Sequence, residues 1–123
     1  DNFTVNFTIT NLQYSSSFRN PSSAKFSATA RVMTALLDQL FKKTTIHSVY
    51  HGCKVMSFRI YPNFPRPTQK VHTGVDAVCT YKRDSAASHF DRVTVYHEVS
   101  NKTNGITNLG IYSLDKDSLY ING

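Results

Sequence analysis

The chain has 123 residues, 40% of them hydrophobic and 12% aromatic, which suits one compact core and excludes both a disordered segment and two ordinary domains. Its formal net charge is +6 at pH 7, from 14 basic and 8 acidic side chains. No apolar run approaches the ~18 residues of a membrane span, and Asp1-Asn2-Phe3-Thr4 has neither the basic nor the apolar region of a signal peptide, so neither is expected.

Phe3, Val5, Phe7 and Ile9 alternate with Thr4, Asn6, Thr8 and Thr10. Period two over these β-formers predicts a half-buried strand with the odd residues inward and the even ones outward. Asn20-Pro21 then predicts a helix start, with Asn20 as cap and Pro21 in the first helical position. Phe26, Ala30, Met33, Leu37, Leu40 and Phe41 follow at spacings of three and four, with Val32 and Leu36 beside them. They predict an amphipathic helix to about Lys43, where Lys42 and Lys43 suit the negative end of the helix dipole.

A second strand is expected near 53–61, with Met56, Phe58 and Ile60 on one face, and a third near 71–81, with Val75, Ala77, Cys79 and Tyr81 on one face. Between them Pro62-Asn63-Phe64-Pro65-Arg66-Pro67 reads as a long hairpin loop centred so that position 53 meets position 79. The two cysteines, Cys53 and Cys79, are then expected to form a disulfide in an oxidising compartment. Such a bridge contributes roughly 3–4 kcal/mol by loop-closure entropy. Regular pairing from this point puts Phe58 opposite Gly74 and turns Val75 and Ala77 to the other face. A β-bulge is therefore expected in this strand pair, at a position the pattern leaves open.

Residues 91–104 read as a second helix, with Phe90, Val93, Tyr96 and Val99 as its stripe and Asp91 at its start. Gly105 after Asn104 is a left-handed stop. Extended pieces at 111–114 and 119–121 flank a turn at Asp115-Lys116-Asp117. The order strand, helix, strand, strand, helix, strand predicts a single α+β domain over 1–123, with helices on one face of an antiparallel sheet.

Between Lys42 and Arg83 stand eight basic side chains against Asp76 alone. This is either a solvated surface or an anion-binding patch for acidic glycan, nucleic acid or a membrane surface, with Lys54, Arg59, Arg66 and Lys70 as its candidates. RNA-recognition modules share the six-element order, but here Phe3 and Phe7 face the helices and residues 72–81 lack the RNP1 pattern. Charge is thus the one feature favouring RNA, and no nucleic-acid partner is expected.

The histidines are His47, His51, His72, His89 and His97. His47 and His51 lie four apart past the helix end, without the Glu of an HExxH motif, so no metal site is expected. There is no GxSxG elbow, and Gly52, Gly74, Gly105, Gly110 and Gly123 are isolated, so no catalytic residue, cofactor or enzymatic activity is expected. Three N-glycosylation sequons begin at Asn2, Asn6 and Asn101, while Asn20-Pro21-Ser22 is blocked by its proline. Asn2 and Asn6 fall on the polar face of the first strand and Asn101 at the end of the second helix, positions from which sugars would project into solvent.

Asn6-Phe7-Thr8-Ile9-Thr10-Asn11-Leu12-Gln13-Tyr14 resembles the first strand and exit turn of SEA domains. Gly52-Cys53, Thr73-Gly74-Val75-Asp76-Ala77-Val78-Cys79-Thr80, Asn104-Gly105-Ile106-Thr107-Asn108-Leu109-Gly110 and the segment from Leu114 to Gly123 resemble tandem SEA repeats of membrane-tethered mucins. The resemblance implies a ferredoxin-like sandwich, an extracellular place at the cell surface or in secreted material, one disulfide and heavy glycosylation. It implies a spacer and adhesion role beside neighbouring repeats, with mesothelin- or galectin-like partners engaged largely through glycans and no membrane insertion by this domain. Many SEA domains also cleave themselves at a Gly-Ser bond between the second and third strands. The aligned segment here, Ser57-Phe58-Arg59-Ile60-Tyr61-Pro62-Asn63-Phe64, has no such bond, and Gly52-Cys53 is the one glycine followed by a nucleophilic side chain. No self-cleavage is expected.

Overall fold

The computed structural model of the chain describes residues 1–62, 66–68, 70–82 and 90–123. Asn63, Phe64 and Pro65 of the proline-rich connection, Arg83 and His89 lie outside the described residues. The elements are β1 (Asn2–Gln13), α1 (Ala24–Phe41), β2 (Tyr50–Tyr61), β3 (His72–Tyr81), α2 (Arg92–Lys102), β4 (Asn108–Leu109), β5 (Tyr112–Ser113) and β6 (Tyr120–Asn122). Four of the strands form an antiparallel sheet in the order β2-β3-β1-β6, giving the α+β arrangement expected. The extended piece expected at 111–114 contributes β5, which pairs with β4 in a separate small hairpin rather than with the main sheet.

The helices cover one face of the sheet. Phe3, Val5, Phe7 and Ile9 are all buried beneath them, as the period-two pattern requires. Phe3 meets Phe41 of α1 edge-on at 5.2 Å and stacks on Phe90, just before α2, at 4.8 Å. At the other end Phe58 packs against Phe18 at 4.7 Å and Phe26 at 5.0 Å. Each such buried ring stabilises the fold by about 1.5–3 kcal/mol relative to exposure.

Three local expectations are corrected. Helix α1 starts later than Asn20-Pro21: its cap is Ser23, whose Oγ accepts from the Phe26 N–H at 3.1 Å. Asn20 instead ends a 3-10 turn, Ser16–Arg19, that buries Phe18, and its Oδ1 accepts from the Ser22 N–H at 3.0 Å. In α2 the buried stripe is Val95 and Val99, while Val93 is 53% exposed. Two residues turn a helix by about 200°, so Val93 and Val95 cannot share a face.

The third correction is the face of Met56, and it comes from the expected bulge. Val55 pairs with Ala77 but Ser57 with Asp76, so Met56 is the extra residue in β2. The shift brings Phe58 opposite Val75, and it leaves Met56 51% exposed rather than on the face of Phe58. A second irregularity, between Tyr50 and Gly52, surrounds His51. Helix α2 ends through Asn104 (φ 56°) and Gly105 (φ 76°), whose N–H returns to the Ser100 carbonyl at 2.8 Å. No helix among the described residues is long and apolar enough to cross a membrane.

Candidate functional site

The helices leave the opposite face of the sheet to solvent. Alternation fixes what stands there: Asn2, Thr4, Asn6, Thr8 and Thr10 from β1, and Asp76, Val78 and Thr80 from β3. Beyond the Met56 bulge, β2 adds Ser57 and Arg59 to this face. The polar series is not uniformly open. Thr8 is buried, its N–H donating to Ser118 Oγ at 2.9 Å and its carbonyl accepting from the Asp115 N–H at 3.0 Å.

Asp76 is the centre of this face. It accepts from Arg59 Nε at 2.6 Å, from Ser57 Oγ at 2.9 Å and from the Asn6 side-chain amide. Burial pushes its carboxyl up, but the bonds from Arg59 and Ser57, the guanidinium charge and the Asn6 amide outweigh that and hold it below the ordinary carboxylate value. Arg59 lies across Gly74, where a Cβ would stand in ordinary contact with it at 3.6 Å.

Cys53 and Cys79 are joined in a disulfide between directly opposed residues of β2 and β3. Tyr50 flanks it. Its hydroxyl donates to Asp38 Oδ1 of α1 at 2.5 Å and lies 3.0 Å from Cys53 Sγ. Burial, then the hydrogen bond and charge of Asp38, raise the Tyr50 hydroxyl well above the usual tyrosine range, so it stays protonated and tied to the carboxylate. The contact ties α1 to the start of β2 beside the disulfide.

The sequon asparagines take three settings. Asn2 is exposed at the start of β1, opposite Thr80. Asn6 is half-buried, and its Nδ2, the atom a sugar would take, is the one bonded to Asp76. One of the two Nδ2 hydrogens would remain for that bond after glycosylation. Asn101 is exposed in the last turn of α2, and the hydroxyl of its sequon partner Thr103 bonds the Val99 carbonyl at 2.7 Å.

The candidate anion-binding residues do not form one group. Arg59 is paired with Asp76. Lys54, opposite Val78, lies toward the disulfide end of β2–β3, whereas Arg66 and Lys70 belong to the connection beyond Tyr61 and His72. At about 3.3 Å per residue the two ends are roughly 20 Å apart. His47 and His51 also separate, His47 with Nδ1 3.0 Å from the Thr44 carbonyl and His51 in the β2 irregularity. Among the described residues no three His, Cys, Asp or Glu side chains gather to hold a metal ion.

Sequence reasoning missed the Asp38–Tyr50 contact, for which spacing carries no signal, since the partners lie on different elements. It counted Asp76 as an isolated acid without assigning Arg59 to it, an assignment that needs the bulge to be placed. Compared with known families, residues 1–115 of the chain match the model of the SEA domain.

Proposed function

The chain belongs to the SEA domain family, whose members are typically extracellular modules of membrane-associated glycoproteins, and from that membership we propose that it is a non-catalytic, glycosylated spacer of a membrane-tethered mucin. One observation carries the reading: the sheet face turned away from the helices presents Asn2 and Asn6, so carbohydrate there displaces no core side chain. Asn101 would add a third sugar at the far end of α2. In this reading the core and the Cys53–Cys79 bridge hold shape, while glycans meet partners of the mesothelin or galectin kind. The module stays uncut. Self-cleaving relatives use a serine hydroxyl against the preceding glycine carbonyl, and the nearest equivalent here, Gly52-Cys53, has its sulfur committed to Cys79.

Mass spectrometry of the chain secreted from a glycosylating cell tests all of this at once. The expected material is one intact polypeptide with one disulfide and enzymatically removable sugar on Asn2, Asn6 and Asn101. Three bare asparagines would overturn the glycan-presenting role, and a cut within 52–64 would overturn the non-cleaving one.

A further inference from the structure

We propose that the cleft at the disulfide end of the β2–β3 pair is a binding site for the anionic groups of an acidic glycan. The cleft is open to solvent, has a volume of about 570 Å³, and its lining includes His51, Lys54, Val78, Thr80, Tyr81 and Lys82. Pairing of Gly52 with Thr80 and of Lys54 with Val78 gathers these residues, and the irregularity at His51 adds its imidazole. Lys82 is fixed at its backbone, where its N–H donates to the Val49 carbonyl at 2.8 Å. Both lysines and His51 are exposed.

Among the described residues the charge in this cleft is positive. No described carboxylate lines it, and neither lysine forms an ion pair among the described residues. Of the described acids on neighbouring elements, Asp76 is committed to Arg59, Ser57 and Asn6 and Asp38 to Tyr50, while Asp1 joins Tyr81 through its backbone. Positive groups around a concave surface without internal partners gain most from an external anion, because it replaces only water and small counterions. The Thr80 hydroxyl supplies a directional donor between the lysines.

The ligand is a sugar rather than single-stranded RNA because the cleft lacks a run of open rings on which successive bases stack. Tyr81 is taken up by Phe90 at 5.2 Å, nearly parallel, and by Phe3 at 6.0 Å, which leaves the His51 imidazole alone. Sequence-tolerant RNA binding relies on aromatic faces open to bases, whereas sulfate and carboxylate groups need only placed cations and hydroxyls. The inference does not depend on the spacer role.

The test uses the chain produced without N-glycans, so that the sugar proposed on Asn2, which lies opposite Thr80, adds no signal of its own beside the cleft. Amide NMR titrations are run with a heparin octasaccharide, a polysialic acid oligomer of matched length and a single-stranded RNA octamer. At least one acidic sugar is expected to shift amides at 51–54 and 78–82, and the comparison of the two tells sulfate from carboxylate. Lys54→Ala/Lys82→Ala should weaken that binding at least tenfold and flatten its salt dependence, with an unchanged thermal midpoint. Arg66→Ala/Lys70→Ala, which removes the same net charge from the opposite end, should change it less than threefold. Absence of binding by both sugars, equal losses in the two double variants, or RNA binding as tightly as sugar would each overturn the proposal.

Discussion

Asp76 shows how one side chain can organise a sheet face. Its carboxylate serves Arg59, Ser57 and Asn6, which come from both strands flanking β3. Because its folded pKa lies below the ordinary carboxylate value, its contribution to stability is present above about pH 4 and is lost as the pH falls through the lowered value. Asp76→Asn should therefore lower stability at pH 7 by about 1 kcal/mol, discounted for the half-exposed Arg59. It should also flatten the acid limb. Urea unfolding from about pH 7 down to about pH 2 checks both, and identical acid limbs in the two proteins would assign the effect to another group. The excess of positive charge over 42–83 is plain in the sequence, but which cation Asp76 neutralises depends on cross-strand register, which side-chain order within one strand does not contain.

Elements with a strong internal period were legible. The alternation of β1 and the stripe of α1 each bury enough apolar surface to dictate their own faces. What escaped was set by tertiary demand. Asn20-Pro21 has the chemistry of a helix start, yet Phe18 must first be buried against Tyr14 and Phe58, and the 3-10 turn that achieves this moves the cap to Ser23. Ser23→Ala should accordingly destabilise by about 1 kcal/mol and Asn20→Ala by less than half of that. Thermal unfolding of the two variants decides, and the reverse ranking would restore Asn20 as the cap. Likewise Met56, Phe58 and Ile60 have the spacing of one face, and only their pairing with Val75 and Ala77 reveals that Met56 is the residue left over. The bulge itself was foreseeable, since the cysteine pairing conflicted with the core pattern, though its position was not.

For the whole molecule, the order of elements sufficed for the α+β sandwich, while the β4–β5 hairpin went unseen because two-residue strands have no measurable period. The disulfide spans 26 residues of sequence, most of β2, the connection and most of β3. Loop-closure entropy assigns such a bridge about 3.5 kcal/mol, exerted on the unfolded chain. Cys53→Ala/Cys79→Ala should lower unfolding free energy by about that amount and raise the urea m-value through a more expanded denatured state. A double variant with an unshifted urea midpoint would refute the estimate.

The pairing of β1 with β6 has a mechanical corollary. Thr4 stands beside Asn122 and Asn6 beside Tyr120, with the two strands antiparallel, so both ends of the described chain leave at the same end of the sheet, on neighbouring strands about 5 Å apart. A filament running through both would turn in and out at one spot, and the folded body would hang beside the thread like a pendant, adding almost nothing to its reach. Tension would load the β1–β6 rungs in succession, from the open end inward, as a zipper is pulled. Extension of such a filament would come from peeling β6 away, long before the Cys53–Cys79 rivet on the opposite side of the sheet carried any strain.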